Sequence, residues 1–325
     1  MITQHSQTQT ALVPEKPLNG LPGIDRPIDN TALQAYMTCP REYFFSMILH
    51  RRKAESAKSP ALGFGSLWHD ILAMHYKSGG VRELVQARAY KTGQGHDSPD
   101  DYRTLDRALL DYDKYVKREL VTLDVQKTIG YPEAPLIEIA TNAQGDGLLH
   151  PWAGKLDRII ELGGLIYVED HKTTSRFDKN YWMQYELSNQ MKGYTYLASQ
   201  LFPELKIAGV RINLSHVLTA STEFNRKLFS YPADVMQDWI TTTNEWLLRL
   251  SRDSEAYASA LEISGDPWEA ALTTFPAHYG DNACSRKFGL CSYHEVCSLS
   301  PRLRRRFLEA NYDIYPWNPL TIDGD

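Results

Sequence analysis

No stretch of the 325-residue sequence approaches the roughly 18 consecutive apolar residues expected of a membrane-spanning helix. Nor is there the self-similarity at fixed period that marks a repeat protein. Positive charge is in short supply: 35 Lys and Arg against 40 Asp and Glu leave a net charge of -5. That balance argues against wholesale binding of polyanions over the surface and leaves room only for local basic clusters. The first 30 residues lack the basic start and apolar stretch of a signal peptide, and their polar, Pro/Gly-rich composition reads as a loose arm on a protein expected inside the cell. Cysteine is limited to four residues, and in a protein expected inside the cell disulfides between them are disfavoured. What is present is ordinary globular composition, 42% hydrophobic, enough for a sizeable core.

The chemistry begins in VEDHKTT, residues 168–174. Leu165-Ile166-Tyr167-Val168 reads as a strand, and residues two apart on a strand share a face. Asp170 and Lys172 therefore project together, while Glu169 and His171 face the other way. Gly163-Gly164 is a two-residue hairpin turn joining this strand to the preceding DRIIEL segment. With a tight turn there, the register sets Asp157 opposite Asp170. Like charges across a ladder are unfavourable, and a divalent cation is the simplest reason to hold them together. Carboxylate ligands completed by water and phosphate oxygens describe a Mg²⁺ site, and an adjacent ammonium can orient water or offset phosphate charge during hydrolysis. The plain alternative is a surface hairpin with solvated charges.

The cysteines divide into one and three. Cys39 stands in YMTCPREYFF; Cys284, Cys291 and Cys297 stand in NACSRKFGLCSYHEVC. Four thiols in an intracellular chain point to a metal site. Structural zinc favours close Cys pairs, and gaps of six and five residues with a distant fourth ligand lean toward a 4Fe-4S cluster that ties the two ends of the chain together, with zinc and then free thiols as the alternatives. Two basic stretches, HRRK (50–53) and RLRRRF (302–307), are candidate DNA contacts or solvated surface.

Taken in order, these segments resemble the iron-sulfur branch of the RecB-like PD-(D/E)XK nucleases, which includes AddB-type helicase-nucleases, CRISPR-associated exonucleases and phage proteins. LQAYMTCPREYFF is similar to the family's N-terminal cysteine segment, and GFGSLWHDIL to the helix bearing its histidine, here His69. WAGKLDRII resembles the motif of the first aspartate, Asp157, and YVEDHKTT the (D/E)XK strand with Asp170 and Lys172. QMKGYTYL matches the Q-x-x-x-Y motif at Gln190 and Tyr194, and the last three cysteines match the terminal cysteine group, although Cys284 and Cys291 stand farther apart than in several relatives. The resemblance implies an α/β core with a central mixed sheet flanked by helices. Its expected parts are the arm (1–30), a helical region with Cys39 and His69 (31–132), the nuclease core (133–265) and a cysteine segment (266–325).

It also implies metal held by His69, Asp157, Asp170 and the carbonyl of His171, with Lys172 acting on water. Glu138 in APLIEIAT stands as a further acidic residue on the strand before Asp157, beyond the turn QGDG, and Gln190 and Tyr194 share a helix face from which they would position substrate. Imidazole favours Mn²⁺ over Mg²⁺. The expected activity is a metal-dependent exonuclease on single-stranded DNA or DNA ends in the cytoplasm of a bacterial or phage-infected cell, working in recombination, repair or replication with a helicase or recombinase as a partner. The alternatives are a non-cleaving DNA-binding adaptor and a structure-specific endonuclease. Elsewhere, 206–218 and 224–231 read as strands, 100–120 and 233–257 as amphipathic helices, 180–202 as one long helix and 267–283 as irregular.

Overall fold

The computed structural model describes residues 21–53, 60–93, 100–121, 127–130, 136–138, 147–280, 283–286 and 289–318. The first twenty residues of the expected arm and residues 144–146 of the QGDG turn lie outside them. The chain enters through β1 (Ile28–Asp29), α1 (Asn30–Thr38), α2 (Pro40–Tyr43), a π-helical turn (Phe44–Ile48) and β2 (Arg51–Lys53). Helices α3 (Pro60–Ser78), α4 (Arg82–Gly93) and α5 (Leu105–Val121) precede the short strands β3 (Lys127–Gly130), β4 (Leu136–Glu138) and β5 (Trp152–Gly154). The hairpin of β6 (Arg158–Leu162) and β7 (Leu165–Thr174) leads into α6 (Met183–Glu186) and α7 (Asn189–Leu201), then β8 (Ile207–Val217) and β9 (Thr222–Ser230). The long α8 (Ala233–Ser264) and α9 (Pro267–Thr274) are followed by β10 (Ser285–Arg286), β11 (Gly289–Leu290), α10 (His294–Ser298), α11 (Pro301–Asn311) and β12 (Tyr312–Ile314).

The central sheet has the order β3-β6-β7-β8-β9. It is mixed: β7 and β8 run parallel through the α7 crossover, and the other pairs are antiparallel. The expected turn is there, with φ of +59° at Gly163 and +77° at Gly164, values that favour glycine. Arg158 pairs with Glu169 and Leu162 with Leu165, which is the expected register. Asp157 itself stands one residue before the first ladder residue, because the chain leaves β5 at Gly154 and re-enters sheet at Arg158. A second, three-stranded sheet orders β1-β5-β4.

Apolar packing covers both faces of the main sheet. Ile159, Val168, Val210 and Ile212 join Leu33, Met191, Leu197, Leu247 and Leu250 in one core, which also takes in Val296 and Leu308 of the C-terminal segment. A second cluster gathers Leu67, Trp68 and Ile71 of α3 with Val85, Tyr112, Tyr115 and Val217. Among the described residues no helix is long and apolar enough to cross a membrane.

Three expectations need correction. Residues 180–202 are not one helix: α6 ends at Glu186, and α7 restarts behind Ser188, whose hydroxyl accepts from Met191 N. Residues 267–274 are helical rather than irregular, because Asp266 accepts from Trp268 N as N-cap and Pro267 occupies the first turn. Helix α8 continues to Ser264 and stops where Gly265 turns left-handed at φ +65°.

The face of β7 opposite Asp170 carries a buried charge network. Glu169 Oε1 accepts from Arg158 Nη1 at 3.1 Å, and its other oxygen is gripped by Arg211 of β8. Arg158 also lies 4.1 Å from the centre of the Tyr76 ring, and Tyr76 stacks on His171 at 5.7 Å. Burial alone would raise the Glu169 carboxyl, but Arg211, then His171 and Arg158, outweigh it and hold the pKa below the glutamate range. A depressed carboxylate pKa stabilises the fold above the unfolded-state value, and that contribution is lost as pH falls through the folded-state value. Replacing Glu169 with Ala leaves the two guanidinium groups without it and is expected to cost about 3–5 kcal/mol in urea unfolding at neutral pH. Wild-type stability in that variant would contradict a structural role for the network.

Candidate active site

Two strands and a helix converge on Asp157. Its Oδ1 lies 3.0 Å from His69 Nδ1 on α3, and its Oδ2 accepts the backbone N–H of His171 at 2.8 Å. Burial opposes ionisation of Asp157, yet His69 and the His171 N–H overcome it and hold the carboxyl well below the usual range. Burial likewise opposes protonation of His69, and the charge of Asp157 reverses this, so the imidazole pKa rises. His69 sits between apolar neighbours Leu67, Trp68, Ile71 and Leu72, all buried, yet its own side chain is 34% exposed. The helix thus presents the ring at the edge of the core rather than inside it.

Asp170 is buried, with Oδ2 2.7 Å from Lys172 Nζ. Burial, then the charge of Asp157, outweigh Lys172 and push the Asp170 carboxyl above its ordinary value. Asp170 in turn overrides burial at Lys172 and raises the ammonium pKa. Both effects are what two carboxylates sharing one site produce, with one proton affinity pushed down and the other up. His171 points to the opposite face, where its Nδ1 lies 3.0 Å from Asn213 Nδ2 and burial pushes its pKa down to about 4. The ring is therefore neutral, and it anchors the peptide whose N–H holds Asp157.

Gln190 and Tyr194 do share a face of α7, with Gln190 Nε2 donating to Tyr194 Oη at 2.9 Å. The Tyr194 hydroxyl is pushed up by burial and then by Asp170 and Asp157, so it stands within electrostatic reach of both. Its approach depends on Gly154: a Cβ there would meet Leu197 Cδ1 at 2.7 Å and Tyr194 Cε1 at 3.2 Å. That glycine is not among the residues the sequence motifs single out, although a glycine inside a strand pattern is a signal of close approach. Tyr181, outside the motifs as well, lies close enough to Lys172 and Asp170 to feel their charges. The backbone of Glu138 pairs with Trp152 in the smaller sheet, and its side chain lies outside the described residues. Among the described residues no group of three or more His, Cys, Asp or Glu side chains is arranged to hold a metal ion. The acidic pair is engaged instead by Lys172, His69 and the His171 N–H.

The four cysteines line one cavity, together with Arg41, Glu42, Phe45 and Tyr293. The sequence gap between Cys284 and Cys291 is taken up by the β10–β11 hairpin, which pairs Ser285 with Leu290 and brings Cys291 N to Cys284 O at 2.9 Å. Cys39 Sγ accepts from His278 N at 3.3 Å. Burial pushes the Cys297 thiol up to about 11 and raises Cys291 as well. Arg41, buried and bonded to Phe275 O at 2.6 Å, and Arg304, bonded to Cys297 O at 2.9 Å, bring positive charge to the same place.

Asp157 thus stands beside an Asp-x-Lys strand, and two carboxylates with an adjacent ammonium are groups able to hold a divalent ion and act on a phosphate. The model of the PD-(D/E)XK nuclease superfamily matches residues 30–298, more than four-fifths of the chain, and the chain belongs to that superfamily. Membership implies a nuclease that works with a divalent metal. A search of curated proteins finds no match.

The paired carboxylates predict that metal stabilises the fold by mass action. Wild-type protein stripped with EDTA is expected to melt at higher temperature as Mn²⁺ is added, and Asp170→Asn to lose most of that rise. An equal rise in the variant would remove Asp170 from the metal site.

Proposed function

We propose that the protein is a Mg²⁺- or Mn²⁺-dependent deoxyribonuclease that acts on single strands or DNA ends, as an exonuclease. The observation that carries this reading is the pairing of a buried Asp170, compensated by Lys172 at 2.7 Å, with Asp157, the carboxylate held by His69 and the His171 N–H. Two carboxylates, an imidazole and the His171 carbonyl are a donor set suited to a hard divalent ion, with the imidazole favouring Mn²⁺. When bound, such an ion polarises the scissile phosphate and lowers the pKa of water. Lys172 then orients the attacking water and offsets the charge that gathers on the phosphate. Gln190 and Tyr194 hold the neighbouring nucleotide, and Glu138 is the candidate for a further acidic residue. Asp157→Ala, Asp170→Ala and Lys172→Ala are each expected to lower cleavage of linear single-stranded DNA at least 100-fold while the circular-dichroism spectrum stays that of the wild type. Full cleavage by any of the three would remove that residue from the chemistry. Closed circular single strands are expected to resist, and their cleavage would make the enzyme an endonuclease.

The cysteine cavity belongs to the same reading. Cys39, Cys284, Cys291 and Cys297 would hold a 4Fe-4S cluster, and the fit rests on four thiols around one cavity with Arg41 and Arg304 beside them to balance a thiolate cluster. The cluster's part is structural: it ties α1 to the C-terminal hairpin, near which β2, with Arg51–Lys53, pairs with β12. Anaerobically purified protein is expected to be brown, with four irons and four sulfides per chain in the ratio a 4Fe-4S centre requires. A colourless protein containing zinc would replace the cluster with a zinc site and leave the nuclease centre standing.

A further inference from the structure

Between β5 and α7, reaching Lys155 two residues before Asp157, the protein contains a cavity of about 180 Å³. That is an order of magnitude above the ~10–15 Å³ one water requires, enough for a planar heterocycle. The cavity is lined by Gln190 and Tyr194 of α7, the exposed Lys155, the buried Asp29, and the C-terminal aromatics Tyr315 and Trp317. The Arg52 guanidinium lies 4.3 Å from the Tyr315 ring centre and 5.0 Å from that of Trp317. Arg26 fixes the tail by donating to Trp317 O at 3.0 Å and to Met47 O at 2.7 Å.

Four properties of this lining define its occupant. The aromatic side chains offer ring surface, which stacks on any base. Lys155 and Arg52 bring positive charge beside the rings, where it suits a sugar-phosphate backbone. Asp29 accepts from Ala32 N at 2.8 Å and also has Trp317 and Thr31 as hydrogen-bond partners, so it sets the Trp317 ring in the wall, and its negative charge disfavours a phosphate in the cavity. The chain connects the cavity to the acidic pair, since Gly154 and Lys155 of its lining lead directly into Asp157 and Tyr194 packs against Gly154.

We propose that the cavity receives one unstacked nucleobase of a single-stranded nucleic acid, the base neighbouring the phosphate that Asp157 and Asp170 serve, with Trp317 and Tyr315 as its stacking wall. The inference rests on the nuclease reading and sharpens it, because a base held in an intact duplex is not free to enter. Residues 315–318 are then part of the substrate site.

Binding of labelled single-stranded oligonucleotides to the full chain in EDTA, followed by fluorescence anisotropy, tests this. Scanning one abasic residue along the strand is expected to find a position where loss of the base weakens wild-type binding roughly ten-fold, in the range of one base stacked on an aromatic side chain. Trp317→Ala is expected to bind the intact strand about as weakly and to become insensitive to the abasic residue, and Trp317→Phe to recover most of both. Tyr315→Ala, at a residue 47% exposed and so tolerant of replacement, is expected to move the same way by a smaller factor. Wild-type binding in Trp317→Ala and Tyr315→Ala, or unaltered abasic sensitivity, would overturn the pocket while cleavage that depends on Asp170 left the nuclease reading intact. A wild-type protein that neither binds nor cuts single strands would overturn both.

Discussion

The mutual repulsion of Asp157 and Asp170 is the constraint around which the rest of the molecule is arranged. Two carboxylates across the mouth of a hairpin are unfavourable unless something positive joins them. Three groups of the chain itself offset that repulsion, with Lys172 facing Asp170 while His69 and the His171 N–H hold Asp157. His69 comes from α3 and the other two from β7, while Asp157 stands just before β6, so the site exists only when α3, the start of β6 and β7 are packed together. The opposite face of β7 answers with its own charges, where Glu169 is clamped between Arg158 and Arg211 and His171 is stacked on Tyr76. Fixing both faces of one strand leaves the acidic residues little freedom, which is the pre-organisation that metal-assisted hydrolysis requires.

Segments distant in sequence pair beside this centre. The N-terminal β1 pairs with β5 and carries Asp29 to the cavity beside Tyr194, and β2 pairs with β12 so that Arg52 meets Tyr315 and Trp317. Cys39, at the end of α1, lines the same cavity as the three C-terminal cysteines. The basic stretches at 51–53 and 302–306 are thereby brought to one side of the molecule, since α11 leads straight into β12 and β12 into the register of β2. A protein with a net charge of -5 can in this way offer a local positive surface to a polyanion.

The hairpin register is legible from residues alone because a two-residue glycine turn and a period of two leave one alignment. The shared face of Gln190 and Tyr194 is legible for the same reason, through helical spacing. The break before α7 is hidden from the sequence, because Ser188 acts as a cap only once the chain turns there, and its apolar neighbours continue a helical pattern. Helix α9 has a local signal in Asp266-Pro267 that the surrounding irregular composition obscures. Arg211 lies 42 residues from Glu169, so their pairing depends on the parallel alignment of β7 with β8, which no local pattern reveals. Gly154 and the tail aromatics fall in the same class: their roles follow from what packs against them.

The most direct test of the central claim is cleavage of an end-labelled single-stranded oligonucleotide by the full chain, first stripped of divalent ions by EDTA and then titrated with Mn²⁺. The account predicts no cleavage after stripping and restoration that saturates with added metal. Undiminished cleavage by the stripped protein would contradict it.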